Sequence, residues 1–395
     1  MHAASIAMTT PVSQLSKWLN PLRPRDPHQS HRVATPLELL FDLIFVVAIA
    51  TAGQQLHHSI VENHLASGLM SYFMVFFALW WAWMNFSWFA SAYDNDDAVY
   101  RIITFVQITG SLVIAAGISD AFQKQDFDVI IIGYVIMRLA LVTQWARVAW
   151  SDPERRATAL RYVIGIFIVQ LCWLLFHFTP INFSLYLFGL LVIAELSVPV
   201  FAEAKNKTPW HPHHIAERYS LLTIIVLGES IVGSYSAMVD ALHNQLFSRE
   251  LVFLMVGGLV MMFTMWWAYF DNEIAERLNS RKRAFTWGYG HFFIFIAIAS
   301  IGATLAASVD VATHHAEISD QLAGYLVAVP LVVYTASLWA LHEAHAQDGL
   351  KKWLYPLTTV IVLCIPLFST DIGYTVFAIS VVYAIRLILS KRYLI

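Results

Sequence analysis

Two carboxylates, Glu38 and Asp42, lie four residues apart in the apolar stretch TPLELLFDLIFVVAIATAGQQ at residues 35–55. In a helix this spacing puts both side chains on one face, one turn apart. Because like charges at this spacing repel and lipid penalises them further, this face is predicted to contact protein, water or an ion path. Glu38 follows Thr35 and Pro36 at the helix start, where capping is the simpler role for it. Asp42, a full turn deeper, is the stronger candidate for a functional group.

Another acidic side chain, Glu229, falls in the middle of the apolar segment 214–238. It lies twelve residues after Glu217, which is about 18 Å along a helix and therefore near mid-membrane depth. A charged residue at that depth costs ~2.5–3.5 kcal/mol on the insertion scale, so a function is favoured over an idle position. Arg138 is predicted at a similar depth, and either Glu229 or Glu195 could be its ion-pair partner.

Neutral polar side chains also fall within apolar segments, among them Asn85 and His291. A histidine can carry protons near neutral pH, but a lone intramembrane histidine can equally hydrogen-bond a neighbouring helix. The chain has 16 histidines, yet no group of them has a four-ligand spacing, so neither a metal nor another cofactor is expected. No phosphate-binding glycine motif or nucleophile elbow is present.

The composition defines the scaffold that must position these side chains. The chain is 58% hydrophobic and only 13% charged, whereas about 25% of residues are charged in soluble proteins. The apolar runs are long and show no strand-like alternation, which favours a helical bundle over a barrel. We therefore predict an all-α, polytopic helical membrane protein whose main partner is the lipid bilayer. The net charge of −3 gives no indication of nucleic-acid binding.

The apolar segments predict about twelve transmembrane helices. They cover residues 37–56, 66–93, 98–122, 127–150, 157–178, 183–203, 214–238, 247–271, 284–308, 321–343, 353–369 and 371–390. Only Ser369 and Thr370 separate the last two segments, and Pro366 could make them one broken hairpin.

The basic residues indicate the orientation. If the amino terminus is cytoplasmic, 21 of the 24 Lys and Arg residues fall on the cytoplasmic side of the twelve-helix arrangement. Because short cytoplasmic loops carry the excess of Lys and Arg, both termini are predicted to be cytoplasmic.

The chain also shows signs of an internal repeat. The sequence WWAW at 80–83 resembles WWAY at 266–269, and Cys172 has a counterpart in Cys364. The offsets stay ordered along the chain, although aromatic-rich helices could align by accident. Two parallel six-helix halves related by an axis along the membrane normal are therefore predicted, as in some transporters. The predicted divisions are a cytoplasmic segment at 1–34 that could be disordered, a first half at 35–203, a cytoplasmic linker at 204–213 and a second half at 214–395.

Four segments resemble a known family. They are TPLELLFDLIFVVAI, WWAWMNFSWFA followed by YDNDD, ERYSLLTIIVLGESI and RRAFTWGYGHFFIF. Together they resemble the bacterial low temperature requirement protein A (LtrA) family, over about residues 32 to 390, with Ser220 standing where a glycine is expected. The resemblance implies a multi-pass protein of the bacterial inner membrane that is linked to growth in the cold. It implies no substrate, cofactor or catalytic residues.

The leading functional hypothesis is a proton- or ion-coupled permease for a small solute or ion. Asp42 and Glu229 would border one polar cavity and bind a proton or cation, while Arg138 and His291 orient or relay. One alternative is an intramembrane enzyme acting on a lipid-like substrate, which is less expected because no nucleophile–base pair is present. Another is a non-transporting sensor or assembly protein whose charges merely pair. A homo-oligomer is compatible with each of these hypotheses.

The topology generates the first testable prediction. Reporter fusions after His64 and Lys124 should be external, and fusions after Asp97 and Asn206 internal, because an even number of helices separates each internal site from a cytoplasmic terminus. Activity of an alkaline phosphatase fusion, compared with that of a cytoplasmic reporter at the same site, measures the side. An external fusion after Asn206 would contradict the twelve-helix count.

Overall fold

The computed structural model describes residues 18–29, 32–178, 181–244, 246–271, 274–278, 280–343 and 351–392. Within these ranges the chain forms twelve α-helices and no strand, which confirms the predicted all-α, polytopic helical membrane fold. The helices are α1 Pro36–Val61, α2 Leu65–Tyr93, α3 Ala98–Gln123, α4 Asp128–Ser151, α5 Arg156–Phe176, α6 Ile181–Ala202, α7 Pro212–His243, α8 Arg249–Phe270, α9 Arg281–Ala312, α10 Asp320–Leu338, α11 Lys351–Cys364 and α12 Ile372–Arg392.

Eleven of these helices are long and apolar enough to cross a membrane. The exception in the described part of the chain is α11, which has 14 residues and continues as a 3-10 turn over Ile365–Phe368. At 1.5 Å per residue, α11 alone is about 21 Å long and falls short of a bilayer core of roughly 30 Å. The last two apolar segments, which the sequence left open, are thus separate helices, and Pro366 lies in the turn that ends the first of them.

Short polar side chains set the helix starts. Thr35 caps α1 through a reciprocal arrangement in which its hydroxyl accepts from the Glu38 amide and Glu38 accepts from the Thr35 amide. Pro36 follows at the first helical position, where its missing N–H costs nothing. Asp97 caps α3 and Ser280 caps α9, since each side chain accepts a hydrogen bond from a backbone N–H in the first turn. We call the end of the bundle at which α1 begins the proximal end, and the opposite end the distal end.

Helix α9 lies at the centre of the bundle. In its apolar window 83% of the residues are buried, against at most 61% in any other candidate span. It packs against α1, α7 and α10, and α1 also contacts α7 directly. The first helices of the two predicted halves therefore meet each other and share α9 as a neighbour.

The pairing of helices is partly alike in the two predicted halves. Helix α1 packs on α3 and α3 on α4, and in the same order α7 packs on α9 and α9 on α10. The close packing of α8 along α12 has no counterpart of similar extent between α2 and α6. The division into two repeated halves, with a linker at 204–213, stays a prediction.

Glycines allow α3 and α4 to approach closely. A Cβ built on Gly133 would lie 2.6 Å from the carbonyl oxygen of Gly110, and a Cβ on Gly110 would lie 2.6 Å from the side chain of Met137. Both distances are far below van der Waals contact, so only a hydrogen atom fits at either position. Small residues of this kind let membrane helices pack backbone to backbone.

This contact yields a prediction about stability. Gly133→Ala should destabilise the protein by about 1–3 kcal/mol, because the added methyl group must push α3 away from α4. Gly189→Ala is the matched control, since no atom lies within 4 Å of its added Cβ. Thermal unfolding of the purified protein in detergent measures both changes. Equal unfolding temperatures for the two variants would contradict the close contact.

Candidate functional site

Four charged or titratable side chains meet where α1 contacts α7. Glu38 and Asp42 come from α1, His214 and Arg218 come from α7, and all four are completely buried. We call this group the charge cluster. The Nη2 of Arg218 lies 2.5 Å from Oδ1 of Asp42, and its Nη1 lies 3.0 Å from Oε1 of Glu38. The Nε2 of His214 lies 3.2 Å from the same Glu38 oxygen. One guanidinium therefore bridges both carboxylates.

The spacing along each helix explains this geometry. Glu38 and Asp42 are four residues apart, as are His214 and Arg218, so each pair occupies one face of its helix, one turn apart. The face was predicted to contact protein, water or an ion path, and it contacts protein. Glu38 also caps α1, since its Oε2 accepts from the amide of Thr35 at 2.8 Å. Glu38 therefore combines capping, the simpler role expected from the sequence, with an ion pair.

Helix α2 supplies a neutral donor to the cluster. The indole Nε1 of Trp83 donates to Oδ1 of Asp42 at 2.7 Å. The other oxygen of Asp42, Oδ2, and Nδ1 of His214 are buried without a hydrogen-bond partner among the described residues. Nε of Arg218 is buried and unpartnered in the same sense. The cluster is thus ion-paired but not saturated with hydrogen bonds.

The formal charges of the cluster do not cancel. Two carboxylates face one guanidinium, so with a neutral His214 the cluster carries one net negative charge. An uncompensated buried charge is costly in a low-dielectric interior. One proton, held on Asp42 or His214, or one bound cation would neutralise the site.

Arg138 forms a separate site in the first half of the chain. Its Nη2 lies 2.5 Å from Oε2 of Glu195, and both side chains are at most 1% exposed. Glu195 also accepts from Tyr134 at 2.8 Å, from Trp81 at 2.9 Å and from Trp173 at 3.2 Å. Of the two partners considered for Arg138, the structure selects Glu195. In contrast to the charge cluster, this site is charge-balanced and its carboxylate is fully hydrogen-bonded.

Glu229 joins neither site. It is half-buried and has no ion-pair or hydrogen-bond partner among the described residues, and open space surrounds the neighbouring Gly228 and Gly233. On α7 it lies eleven residues beyond Arg218, which is about 16 Å along the helix axis. Of the two candidate partners for Arg138, Glu229 is therefore excluded, and Glu229 does not contact the cluster that holds Asp42.

His291 and Asn85 make hydrogen bonds within the bundle. His291 is completely buried, its Nδ1 lies 2.8 Å from the backbone oxygen of Trp287, and its Nε2 lies 3.0 Å from the hydroxyl of Tyr269. Because a carbonyl oxygen only accepts, Nδ1 carries the proton, and the neutral ring accepts from Tyr269 at Nε2. His291 thus bonds α9 to α8. Asn85 donates to the backbone oxygen of Trp81 on its own helix at 2.8 Å.

The comparison with protein families identifies the chain. The family model described as "Bacterial low temperature requirement A protein (LtrA)" matches residues 33–389. The chain belongs to this family. It is also 22% identical over 327 residues to an uncharacterized protein of Rhizobium meliloti (strain 1021), covering 76% of this chain and 75% of that protein.

The segments that resemble the LtrA family supply three of the four side chains of the charge cluster and the tryptophan that donates to it. TPLELLFDLIFVVAI carries Glu38 and Asp42, and WWAWMNFSWFA carries Trp83. ERYSLLTIIVLGESI carries Arg218, the cation of the cluster. Neither Arg218 nor His214 was among the candidate site residues predicted from the sequence. The spacing of His214 and Arg218 at the start of α7, which matches that of the carboxylates at the start of α1, was the signal that could have found both.

The residues before α1 close the proximal end of this LtrA-family bundle. Leu22 is completely buried, Arg25 donates its backbone N–H to Ala92, and the Nη2 of Arg32 donates to the backbone oxygen of Ala90 at 2.8 Å. We call the described residues 18–29 and 32–34 the amino-terminal strap. Disorder was considered for 1–34, but Asn20, Leu22 and Arg25 contact the ends of the helices, while 1–17 lie outside the described residues.

The strap lies next to a buried carboxyl group beyond the end of α2. Burial raises the pKa of Asp94 to about 6, and the negative charge of Glu38 adds to the effect. Arg25 and Arg32 act in the opposite direction because they favour the charged carboxylate. The charged groups Arg25, Arg32 and Asp94 therefore lie on the proximal side of the charge cluster.

A cavity of about 360 Å³ opens beside the cluster at the same end of the bundle. Its lining includes Glu217 and Ser220 of α7, Tyr269 of α8 and Glu276 of the α8–α9 connection. Tyr269 is also the hydrogen-bond partner of His291. A polar cavity at the proximal end thus leads to a buried tyrosine–histidine pair one helix away from the charge cluster.

The charge cluster generates a stability prediction. Arg218→Gln should destabilise the protein by about 3–5 kcal/mol, because it leaves two buried carboxylates without a cation. Asp42→Asn should cost less, since it removes the surplus negative charge and leaves an oxygen that can still accept from Trp83. Thermal unfolding in detergent measures both variants.

Arg101→Gln is the matched control for Arg218→Gln. Arg101 pairs with Asp96 at 2.6 Å, but both side chains are more than half exposed, so its loss should have little effect on stability. If Arg218→Gln unfolds at the same temperature as Arg101→Gln, the cluster does not hold α1 to α7.

Proposed function

We propose that this LtrA-family protein is a proton- or cation-coupled permease in which the charge cluster is the coupling site. The observation that carries the proposal is the surplus carboxylate, buried where the first helices of the two predicted halves meet. A charge of this kind has no structural advantage over a balanced pair, such as Arg138 with Glu195. The surplus charge has a function if a proton or cation occupies the site in one conformational state and leaves it in another.

Occupancy would change the contact between α1 and α7. With a proton on Asp42, the attraction between Asp42 and Arg218 weakens and α1 is freer to separate from α7. With Asp42 charged, Arg218 bridges both carboxylates and holds the helices together. A ligand shifts a conformational equilibrium only through such a difference in interaction between two states. The cluster provides that difference at a helix contact that can open and close.

Polar groups at both ends of the same helices support a pathway. At the proximal end, the cavity lined by Glu217 and Tyr269 lies beside α7. At the distal end, Nε2 of His57 on α1 lies 2.5 Å from Oδ2 of Asp310 on α9, and both side chains are partly exposed. The central helices α1, α7 and α9 therefore carry titratable groups at each end, with the charge cluster and His291 between them.

The distribution of basic residues supports one orientation of the bundle in the membrane. Under the positive-inside rule, the proximal end with the strap faces the cytoplasm of a bacterial inner membrane. The cavity beside α7 would then open to the cytoplasm, and the His57–Asp310 pair would face the outside. The permease would move a small solute or ion between these two sides.

Proteoliposomes test the coupling. Purified protein is reconstituted with a pH-sensitive dye in the lumen, and a panel of inorganic cations, ammonium compounds and neutral solutes is added outside. At least one solute should produce a change in internal pH with the wild-type protein, because the cluster exchanges a proton during transport. Asp42→Asn should abolish that change, since an amide cannot take up the proton.

Arg101→Gln controls for reconstitution and should behave as the wild-type protein. An Asp42→Asn variant that is folded and gives the wild-type pH change would exclude the cluster as the coupling site. A wild-type protein that gives no pH change above empty liposomes for any solute would contradict the proton-coupled form of the permease.

A further inference from the structure

A funnel opens at the distal end of the first half, on the side of the bundle away from the charge cluster. Its outer chamber, of about 440 Å³, lies between the start of α4 and the end of α5 and is lined by Asp126, Asp128 and His177 among others. A narrower inner chamber continues from it, and both chambers share the side chains of Phe127 and Phe176. The two chambers together are called the funnel.

Aromatic rings line the inner chamber. Phe77, Tyr134, Trp173, Phe176 and Phe188 border it, and each is at least nine-tenths buried. The ring of Trp173 meets those of Phe176 and Phe188 edge to face, with centroids 5.7 and 5.4 Å apart. Several aromatic rings around one cavity can bind an ammonium group, because the face of each ring is electron-rich.

The floor of the inner chamber is backed by the Glu195 carboxylate. Tyr134 and Trp173 donate their O–H and N–H to its Oε1, at 2.8 and 3.2 Å. Since each of these side chains has only one proton to donate, neither can offer it to a ligand in the chamber. The phenol oxygen of Tyr134 can still accept a hydrogen bond. The inner chamber therefore suits a cation and has no free donor from these two residues for an anion.

A cation already lies against the same groups from behind. The guanidinium carbon of Arg138 is 5.6 Å from the ring centroid of Tyr134, and its charge is compensated by Glu195 at 2.5 Å. The combination of the Tyr134 ring and the Glu195 carboxylate thus accommodates positive charge in this bundle. The pair is neutral as a whole, so it does not repel a second cation in the chamber as a bare arginine would.

The mouth of the funnel is acidic. Asp126 and Asp128 are exposed at the outer chamber, and Asp128 pairs with Nδ1 of His177 at 2.6 Å. The nearby Lys124 lies 2.8 Å from Asp120, so its charge is already compensated. Carboxylates at the mouth of a cleft concentrate cations there and speed their entry at low ionic strength.

From these contacts we propose that the funnel binds a small organic cation, an ammonium compound whose positive group enters the aromatic inner chamber. Charge complementarity at the mouth and the absence of free donors from Tyr134 and Trp173 select this occupant over an anion. The inference deepens the proposed function, on which it rests for the role of the cation as the transported solute. Binding itself requires no transport and can be measured without it.

Binding of radiolabelled tetramethylammonium to the purified protein in lipid nanodiscs tests the site. Wild-type protein should bind it saturably, and tert-butanol, a neutral molecule of similar shape, should not compete. Trp173→Leu should weaken binding about tenfold, the loss expected when a desolvated cation–π contact is removed. Phe176→Leu should also weaken it, and it replaces Trp173→Leu if that variant does not fold.

Trp150→Leu is the matched control, because Trp150 is 66% exposed at the opposite end of α4. It should bind as the wild-type protein does. The double variant Asp126→Asn with Asp128→Asn should weaken binding at low salt and have little effect at high salt, as expected for exposed charges. Equal competition by tert-butanol would show an apolar pocket, such as one for a lipid chain, and would overturn the proposal. The absence of saturable binding would overturn it as well.

The two proposals fail in different ways. Saturable, charge-dependent binding without any solute-induced pH change in proteoliposomes would support the cation site and exclude a proton-coupled permease. A pH change caused by other solutes, with no tetramethylammonium binding, would leave the permease standing and exclude the cation site.

Discussion

The guanidinium of Arg218, placed between Glu38 and Asp42, is the interaction on which the centre of this structure depends. Two carboxylates one turn apart in a membrane helix require a cation, because lipid cannot compensate them and the start of the helix satisfies only Glu38. Arg218 lies on another helix, so compensation requires α1 and α7 to be in contact at that turn. Helix α9 packs against both of these helices.

Two buried arginines of the membrane core, Arg138 and Arg218, differ in how well their carboxylate partners are satisfied. Glu195 balances Arg138 one to one and accepts three further hydrogen bonds, so this carboxylate site is complete. Arg218 is shared by two carboxylates, each of which keeps one oxygen without a hydrogen-bond partner among the described residues. A complete site favours a single conformation, whereas an incomplete one can respond to a proton or ion. This contrast is the reason that we propose coupling at the charge cluster and a fixed wall of the proposed binding chamber at Glu195.

The proposed cation funnel and the charge cluster lie at opposite ends of the bundle. Helix α2 contacts both sites, because its Trp81 donates a hydrogen bond to Glu195 and its Trp83 donates one to Asp42. One short aromatic segment therefore touches both buried carboxylate sites. Because both indoles are held by α2, a shift of that helix would alter the two sites together, which gives a permease a physical route between solute and coupling ion.

The sequence by itself determined the helices and the depth of their charges. Long apolar runs leave no alternative to helices in a bilayer, and the capping signal of Thr35 with Glu38 placed the start of α1. The partners of those charges came only from the tertiary structure. Membrane helices are apolar on nearly every side, since lipid and protein core are equally apolar, so the hydrophobic pattern does not encode how each helix is rotated. Glu229 shows the consequence, because its depth was readable but its position on an open flank of α7 was not. The pairing of Asp42 with Arg218, 176 residues away, likewise depends on which helices become neighbours.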